Sequence, residues 1–127
     1  MTNSIVLLVD DDPGLLQLHQ FTLKAKTDYD VYLAASGQAA FEKIKLVSPD
    51  IVILDLMMPD IDGIEVCRYM RTQPGLSRTP IVILAGLTDA SAHARARQAG
   101  ATAIWLKPLK PSELATRIGQ LLNHAHP

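Results

Sequence analysis

The chain has 127 residues, 48% of them hydrophobic and 20% charged, which is the composition of one globular domain. Its net charge of −1 excludes the strongly basic surface of a nucleic-acid-binding protein and does not support a basic membrane-binding patch. The single cysteine, Cys67, excludes an internal disulfide and a cysteine-built zinc site. No basic segment precedes the first apolar run, so we expect no signal peptide and a cytoplasmic protein.

Short apolar runs alternate with longer segments of helical periodicity along the whole chain. The runs predict β-strands, and three of them are apolar throughout, as in strands that are buried on both faces of a sheet. The predicted strands cover residues 5–9, 31–34, 51–54, 81–84 and 103–106. The predicted helices cover about 13–26, 37–47, 63–71, the segment from Asp89 to near Gly100, and 111–122.

Several helix starts carry residues that are typical of N-termini. Asp12 precedes a proline, so we expect it to cap the first helix rather than to bind a metal. Asp60 and Asp62 are expected to form a turn before the third helix, and His19 is expected at the surface or its boundary. The residues predicted to face the core from the helices are Leu15, Leu16, Leu18, Leu23, Phe41, Ile44, Val47, Ile64, Cys67, Met70, Leu114, Ile118, Leu121 and Leu122.

The repeated strand–helix alternation predicts a single α/β domain, a doubly wound (βα)5 fold with a five-stranded parallel sheet and helices on both faces. We expect a core of about residues 4–122 and a short tail at 123–127. The strand order 2-1-3-4-5 places the carboxyl ends of strands one, three, four and five side by side. Ligands of such sheets bind at the carboxyl ends of the strands.

The residues that directly follow these strands are mostly acidic. Asp10 and Asp11 follow the first strand, Asp55 follows the third and Lys107 follows the fifth. Two carboxylates about 4 Å apart repel each other by roughly 4 kcal/mol at an effective dielectric constant of about 20. The cluster therefore needs positive charge beyond one lysine, and a set of oxygen ligands suits Mg²⁺.

These residues and their spacing resemble the receiver domain of response regulators, the phosphoacceptor domain of two-component signalling, over essentially the whole chain. The matching segments are LVDDDP at 8–13, DIVILDLMMP at 50–59, DG at 62–63, TP at 79–80, GA at 100–101 and KP at 107–108. The resemblance implies a phosphoprotein that is no enzyme beyond its own aspartyl phosphorylation and dephosphorylation. It also implies a cis peptide bond before Pro108.

The resemblance assigns a role to each residue of the cluster. Asp55 is implied as the phosphoacceptor, which attacks the phosphoryl group of a partner's phosphohistidine. Asp11 and Asp55 are implied as Mg²⁺ ligands together with the backbone carbonyl of Met57, and Asp10 holds the metal site through water. Lys107 is implied to pair with a phosphoryl oxygen. Phosphoryl transfer depends on such positioning and charge neutralisation.

Two positions depart from the pattern of the family. Receiver domains usually carry Thr or Ser directly after strand four and an aromatic residue in strand five, and these positions are Ala85 and Ile104 here. Gly86 can still present a backbone N–H to a phosphoryl group, whereas Thr88 is expected to face solvent. We therefore expect phosphorylation with an altered conformational response.

The implied partner is a histidine kinase or a histidine phosphotransfer protein. The fourth helix, fifth strand and fifth helix form the implied surface for an effector or for a homodimer, with no nucleic acid or membrane bound by this domain. Three alternatives have less support. A pseudo-receiver that acts without phosphorylation is favoured by Ala85 and Ile104 but opposed by the intact acidic residues and lysine. A flavodoxin-like cofactor site is opposed by the acidic residues 10–12, which would repel a phosphate, and a metal-dependent hydrolase lacks an evident general base.

Overall fold

A computed structural model describes residues 3–86 and 90–125 of the chain. The strands are β1 (Ile5–Val9), β2 (Asp30–Ala34), β3 (Ile51–Asp55), β4 (Ile81–Ala85) and β5 (Ala103–Leu106). The helices are α1 (Pro13–Lys26), α2 (Gly37–Val47), α3 (Gly63–Thr72), α4 (Ala90–Gln98) and α5 (Pro111–Ala125). The strands form one parallel sheet in the order β2-β1-β3-β4-β5, which confirms the predicted fold.

Two apolar layers cover the faces of the sheet. Successive side chains of a strand point to opposite faces, so Leu7 and Val9 pack on the side of α2, α3 and α4, while Val6 and Leu8 pack on the side of α1 and α5. All residues of β3 and β4 are buried, as the apolar runs 51–54 and 81–84 predict, and the burial of β3 extends to Asp55.

Side-chain caps define where three of the helices begin. The Asp12 carboxylate accepts the N–H groups of Gly14 and Leu15, which confirms the predicted cap of α1. Ser36 Oγ accepts the N–H of Ala39 at the start of α2. Asp62 Oδ1 accepts the N–H of Glu65, so this aspartate is the N-cap of α3 as well as a turn residue. Each bond satisfies an N–H that lacks a partner within its own helix.

The predicted core face of α1 was partly wrong. Leu18 is 50% exposed, whereas Leu16, His19 and Leu23 are buried. The three buried residues are spaced i, i+3 and i+7 and share one side of the helix, while Leu18 lies about 200° around the helix from Leu16. His19, which we expected near the surface, therefore belongs to the buried stripe.

Two expectations concern the ends of helices. Helix α5 continues to Ala125, beyond residue 122 where the core was expected to end. The predicted cap of α4, Asp89, and the neighbouring Thr88 lie outside the described residues. Within the described part of the chain, no helix has the length and apolar character that are needed to cross a bilayer.

Candidate functional site

Asp55 is the last residue of β3, so it lies at the carboxyl end of the central strand of the sheet. Its side chain is buried, with 2% of the residue exposed, and its Oδ1 forms an ion pair with the Lys107 ammonium. Lys107 directly follows β5, and its backbone N–H donates to the Ala85 carbonyl, which continues the β4–β5 pairing. The Lys107–Pro108 peptide bond is cis, as the resemblance implies. Strand pairing thus brings together two residues that are far apart in the sequence.

Two further carboxylates lie beside Asp55. Carboxylate oxygens of Asp10, Asp11 and Asp55 all lie within 4.8 Å of one another. Burial raises the pKa of the Asp10 carboxyl above its usual range, the negative charges of Asp55 and Asp11 raise it further, and the N–H of Asp12 and the charge of Lys107 oppose them. Three crowded carboxylates with one ammonium leave an excess of negative charge. Because all three donors are oxygens, the cluster has the chemistry to hold a hard divalent cation.

A cavity of about 370 Å³ opens at this cluster. Its walls combine the acidic residues, Lys107 and His19 with apolar side chains of Leu15, Leu84 and Leu109. A larger cavity of about 480 Å³ lies near the opposite edge of the sheet, between the end of α2 and the α3–β4 connection. The second cavity contains only one acidic residue, Asp50, so the charge cluster rather than cavity size identifies the candidate site.

The connection between β3 and α3, which contains Met57, is held by backbone hydrogen bonds. The N–H of Leu56 donates to the Leu84 carbonyl at 2.9 Å, and the N–H of Gly63 donates to the Leu56 carbonyl at 3.1 Å. Asp60, which was predicted only as a turn residue, accepts the N–H groups of Gly37 and Gln38 at the start of α2. No local sequence signal reveals this contact, because its partners are separated by more than twenty residues.

Of the two residues that depart from the family pattern, Ala85 lies at the carboxyl end of β4, whereas Ile104 lies within β5 and pairs with Ile83. Ala85 is buried at the end of β4 and brings no hydroxyl to the site, and Ile104 is partly buried against the core. Gly86 is exposed and follows Ala85 directly. His93 of α4, which no sequence pattern singled out, also lies close to this position, with its Nε2 3.3 Å from the Gly86 carbonyl oxygen.

His19 is a buried polar residue in the wall of the cavity. Only 6% of it is exposed, and its Nδ1 has no hydrogen-bond partner among the described residues. Burial lowers the pKa of the imidazole below its ordinary value, because the charged form loses its hydration. The folded protein therefore keeps His19 neutral at a pH where an unfolded chain would protonate it.

We expect a His19→Leu variant to lose less stability in mild acid than the unchanged chain does. Between about pH 7.5 and about pH 5.5, the unfolded chain protonates this histidine near its usual pKa of about 6.5, whereas the folded chain resists protonation. The unfolded state then binds more protons than the folded state. The contribution of His19 to the free energy of unfolding is therefore fully present above that pKa and falls as the pH falls. Urea unfolding at both pH values measures the difference, and parallel losses in the two proteins would contradict it.

Comparison with known proteins gives a consistent family assignment. Residues 6–119 match the family described as the response regulator receiver domain. The chain is 36% identical to the DNA-binding response regulator MtrA of Mycolicibacterium smegmatis, over 89% of this chain and 48% of MtrA. It is 32% identical to the alkaline phosphatase synthesis transcriptional regulatory protein PhoP of Bacillus subtilis, over 97% of this chain and 50% of PhoP.

Solved structures show the same similarity. The chemotaxis response regulator CheY4 of Vibrio cholerae superposes with a TM-score of 0.86 at 31% identity, over 94% of this chain and 99% of that chain. The chain spans about half the length of the curated relatives that it matches.

Proposed function

Since this chain belongs to the response regulator receiver domain family, we propose that it receives a phosphoryl group on Asp55 from a phosphohistidine, in a Mg²⁺-dependent reaction. The observation that supports this proposal is the convergence at the sheet edge: Asp55 is buried, pairs with Lys107, and lies within 4.8 Å of carboxylate oxygens of Asp10 and Asp11. The three carboxylates and the lysine line one cavity, which supports their assignment as nucleophile, metal ligands and counter-charge.

Each residue has a defined part in the proposed transfer. An oxygen of Asp55 attacks phosphorus, the bond from phosphorus to the donor imidazole nitrogen breaks, and its electron pair stays on that nitrogen. Lys107 neutralises a phosphoryl oxygen, and the N–H of Gly86 donates a hydrogen bond to another. Asp11, Asp55 and the Met57 carbonyl would hold Mg²⁺, with Asp10 acting through water. The ion supplies positive charge against the carboxylates and the phosphoryl oxygens.

The proposed partners follow from this chemistry. The phosphodonor is a histidine kinase or a histidine phosphotransfer protein in the cytoplasm. The output is a changed protein–protein surface, formed by α4, β5 and α5, that contacts an effector or a second copy of this chain. Because Ala85 lacks a hydroxyl, the phosphoryl group loses one hydrogen bond, a contact that is worth about 1.5–3 kcal/mol when one partner is charged. We therefore expect the conformational response to differ from that of receivers with Thr or Ser.

Incubation with a small phosphodonor and Mg²⁺, followed by intact mass measurement, tests the proposal. The unchanged chain should gain the mass of one phosphoryl group, and this gain should disappear when EDTA removes the metal. Asp55→Asn should show no gain because the amide is a poor nucleophile. Asp28→Asn is the matched control, since this exposed aspartate lies outside the site, and it should behave like the unchanged chain.

A pseudo-receiver is the second candidate, because Ala85 is buried at the position that would otherwise present a hydroxyl. In this case the domain binds its partner through the same surface without phosphorylation. No mass gain in either the unchanged chain or Asp55→Asn, with and without Mg²⁺, would support the pseudo-receiver and overturn the phosphoacceptor proposal.

A further inference from the structure

We infer that Asp60 is a positioning residue for the metal site, acting through the segment that carries the Met57 carbonyl. The inference rests on the proposed function and adds to it a contact that comes from helix α2. Asp60 itself lies outside the acidic cluster, and its side chain is exposed.

The first observation is a two-oxygen contact between Asp60 and the start of α2. Asp60 Oδ1 accepts the N–H of Gly37 at 3.2 Å, and Oδ2 accepts the N–H of Gln38 at 3.0 Å. The first turn of α2 contains no acidic residue of its own. The partial positive charge of a helix N-terminus therefore interacts with a carboxylate from a different part of the chain.

The second observation is the close packing of the same two segments. A Cβ atom at Gly37 would lie 2.6 Å from both the Cβ and the carbonyl oxygen of Ile61. Such a distance is far inside ordinary contact, so the backbone of α2 at Gly37 packs directly against Ile61 and leaves no room for a side chain at position 37. Two neighbouring residues of the β3–α3 connection, Asp60 and Ile61, are thus held against α2.

The third observation is that the other end of the connection is also held. The N–H of Leu56 donates to Leu84 of β4, and the N–H of Gly63 donates back to Leu56. Met57 lies between these bonds and the Asp60 contact, and its side chain is 70% exposed, so it has little packing of its own. The direction of the Met57 carbonyl therefore depends on the hydrogen bonds on both sides of it.

Removal of the Asp60 carboxylate should leave the acidic residues in place and free the connection from α2. Groups that orient a metal ligand typically change metal affinity by about 10-fold or more when they are removed. We expect Asp60→Ala to weaken Mg²⁺ binding by about 10-fold. Asp60→Asn keeps one acceptor oxygen and should show a smaller loss.

Ser36→Ala provides a matched control. Ser36 Oγ also caps α2, because it accepts the N–H of Ala39 at 3.1 Å, and the replacement removes this acceptor. The β3–α3 connection is left unchanged. Both Asp60→Ala and Ser36→Ala should lower the unfolding midpoint, because each deprives α2 of a cap. Only Asp60→Ala should also weaken Mg²⁺ binding.

The experiment is titration of the full chain with MgCl₂ in a calorimeter, together with amide hydrogen exchange without metal. Asp60→Ala should raise the Mg²⁺ dissociation constant and speed exchange at Gly37 and Gln38. An unchanged Mg²⁺ dissociation constant in Asp60→Ala would overturn the inference and leave Asp60 as a helix cap, while the proposed function stands. An unchanged chain that binds no Mg²⁺ would overturn the proposed function and the inference together.

Discussion

Replacement of Gly63 by alanine should destabilise the protein and disturb Asp55 at the same time. A Cβ atom at this position would lie 2.6 Å from the carbonyl oxygen of Asp55 and 3.3 Å from the Cα of Leu56. Both neighbours are backbone, so no side chain can rotate away. The first turn of α3 must then move off the end of β3, and we expect a loss of about 1–3 kcal/mol in the free energy of unfolding.

The same displacement should slow the proposed phosphoryl transfer. Misplacement of a reacting group by about 1 Å can cost about 100-fold in rate. Urea unfolding measures the stability, and the time course of phosphoryl uptake by intact mass measures the rate.

Gly14→Ala is the control for the Gly63 experiment. Gly14 lies in the first turn of α1, and the nearest atom to an added Cβ is Asp12 Oδ1 at 3.4 Å, which is an ordinary contact. This variant should be neutral or more stable by up to about 1 kcal/mol, since alanine lowers the entropy of the unfolded chain. Equal stabilities of the two variants would contradict the proposed contact between α3 and β3.

Replacement of Arg71 by methionine should cause a loss of stability that no other exposed or half-buried arginine matches. Its Nε donates to the Gly100 carbonyl at 2.9 Å, and its Nη1 donates to the carbonyls of Leu76 and Thr79 at 3.0 and 2.7 Å. Nη2 also contacts Thr102 Oγ1 at 3.3 Å. One guanidinium thus joins the end of α3, the α3–β4 connection and the turn before β5.

The expected loss of stability comes from the backbone carbonyls that Arg71→Met would leave without a hydrogen-bond donor. Burial lowers the pKa of this guanidinium relative to its usual range, because the charged form loses part of its hydration. Gly100 takes a positive φ of 101° next to the Arg71 side chain, so the turn before β5 is built around it. With several carbonyls left without this donor, we expect a loss of about 2–4 kcal/mol after allowance for partial exposure.

Thermal and urea unfolding of Arg71→Met against Arg68→Met tests this expectation. Arg68 lies on the exposed side of α3, and its replacement should change stability by less than about 0.5 kcal/mol. A similar small change in Arg71→Met would show that water replaces the guanidinium at no cost. Phosphoryl uptake on Asp55 should persist in folded Arg71→Met, since Arg71 lies outside the cavity at the acidic cluster.

The predicted elements and their positions agree with the structure because they depend on local chemistry. Apolar runs such as 51–54 and 81–84 are buried on both faces wherever a parallel sheet contains them. The cap at Asp12 needs only the next few residues. The error at Leu18 arose because four leucines were assigned to one face of α1, although Leu18 lies on the far side of the helix from Leu16.

The sequence by itself determined the alternating fold, the cap of α1 at Asp12 and which acidic residues stand at the strand ends, since each of these follows from periodicity or from neighbouring residues. Only the tertiary structure decided that Asp60 contacts α2, that Arg71 joins three segments and that His19 is buried. These contacts join residues that are distant in the chain, or depend on how a helix is rotated against the sheet. No local pattern encodes such pairings, because the partner is chosen by the packing of the whole domain.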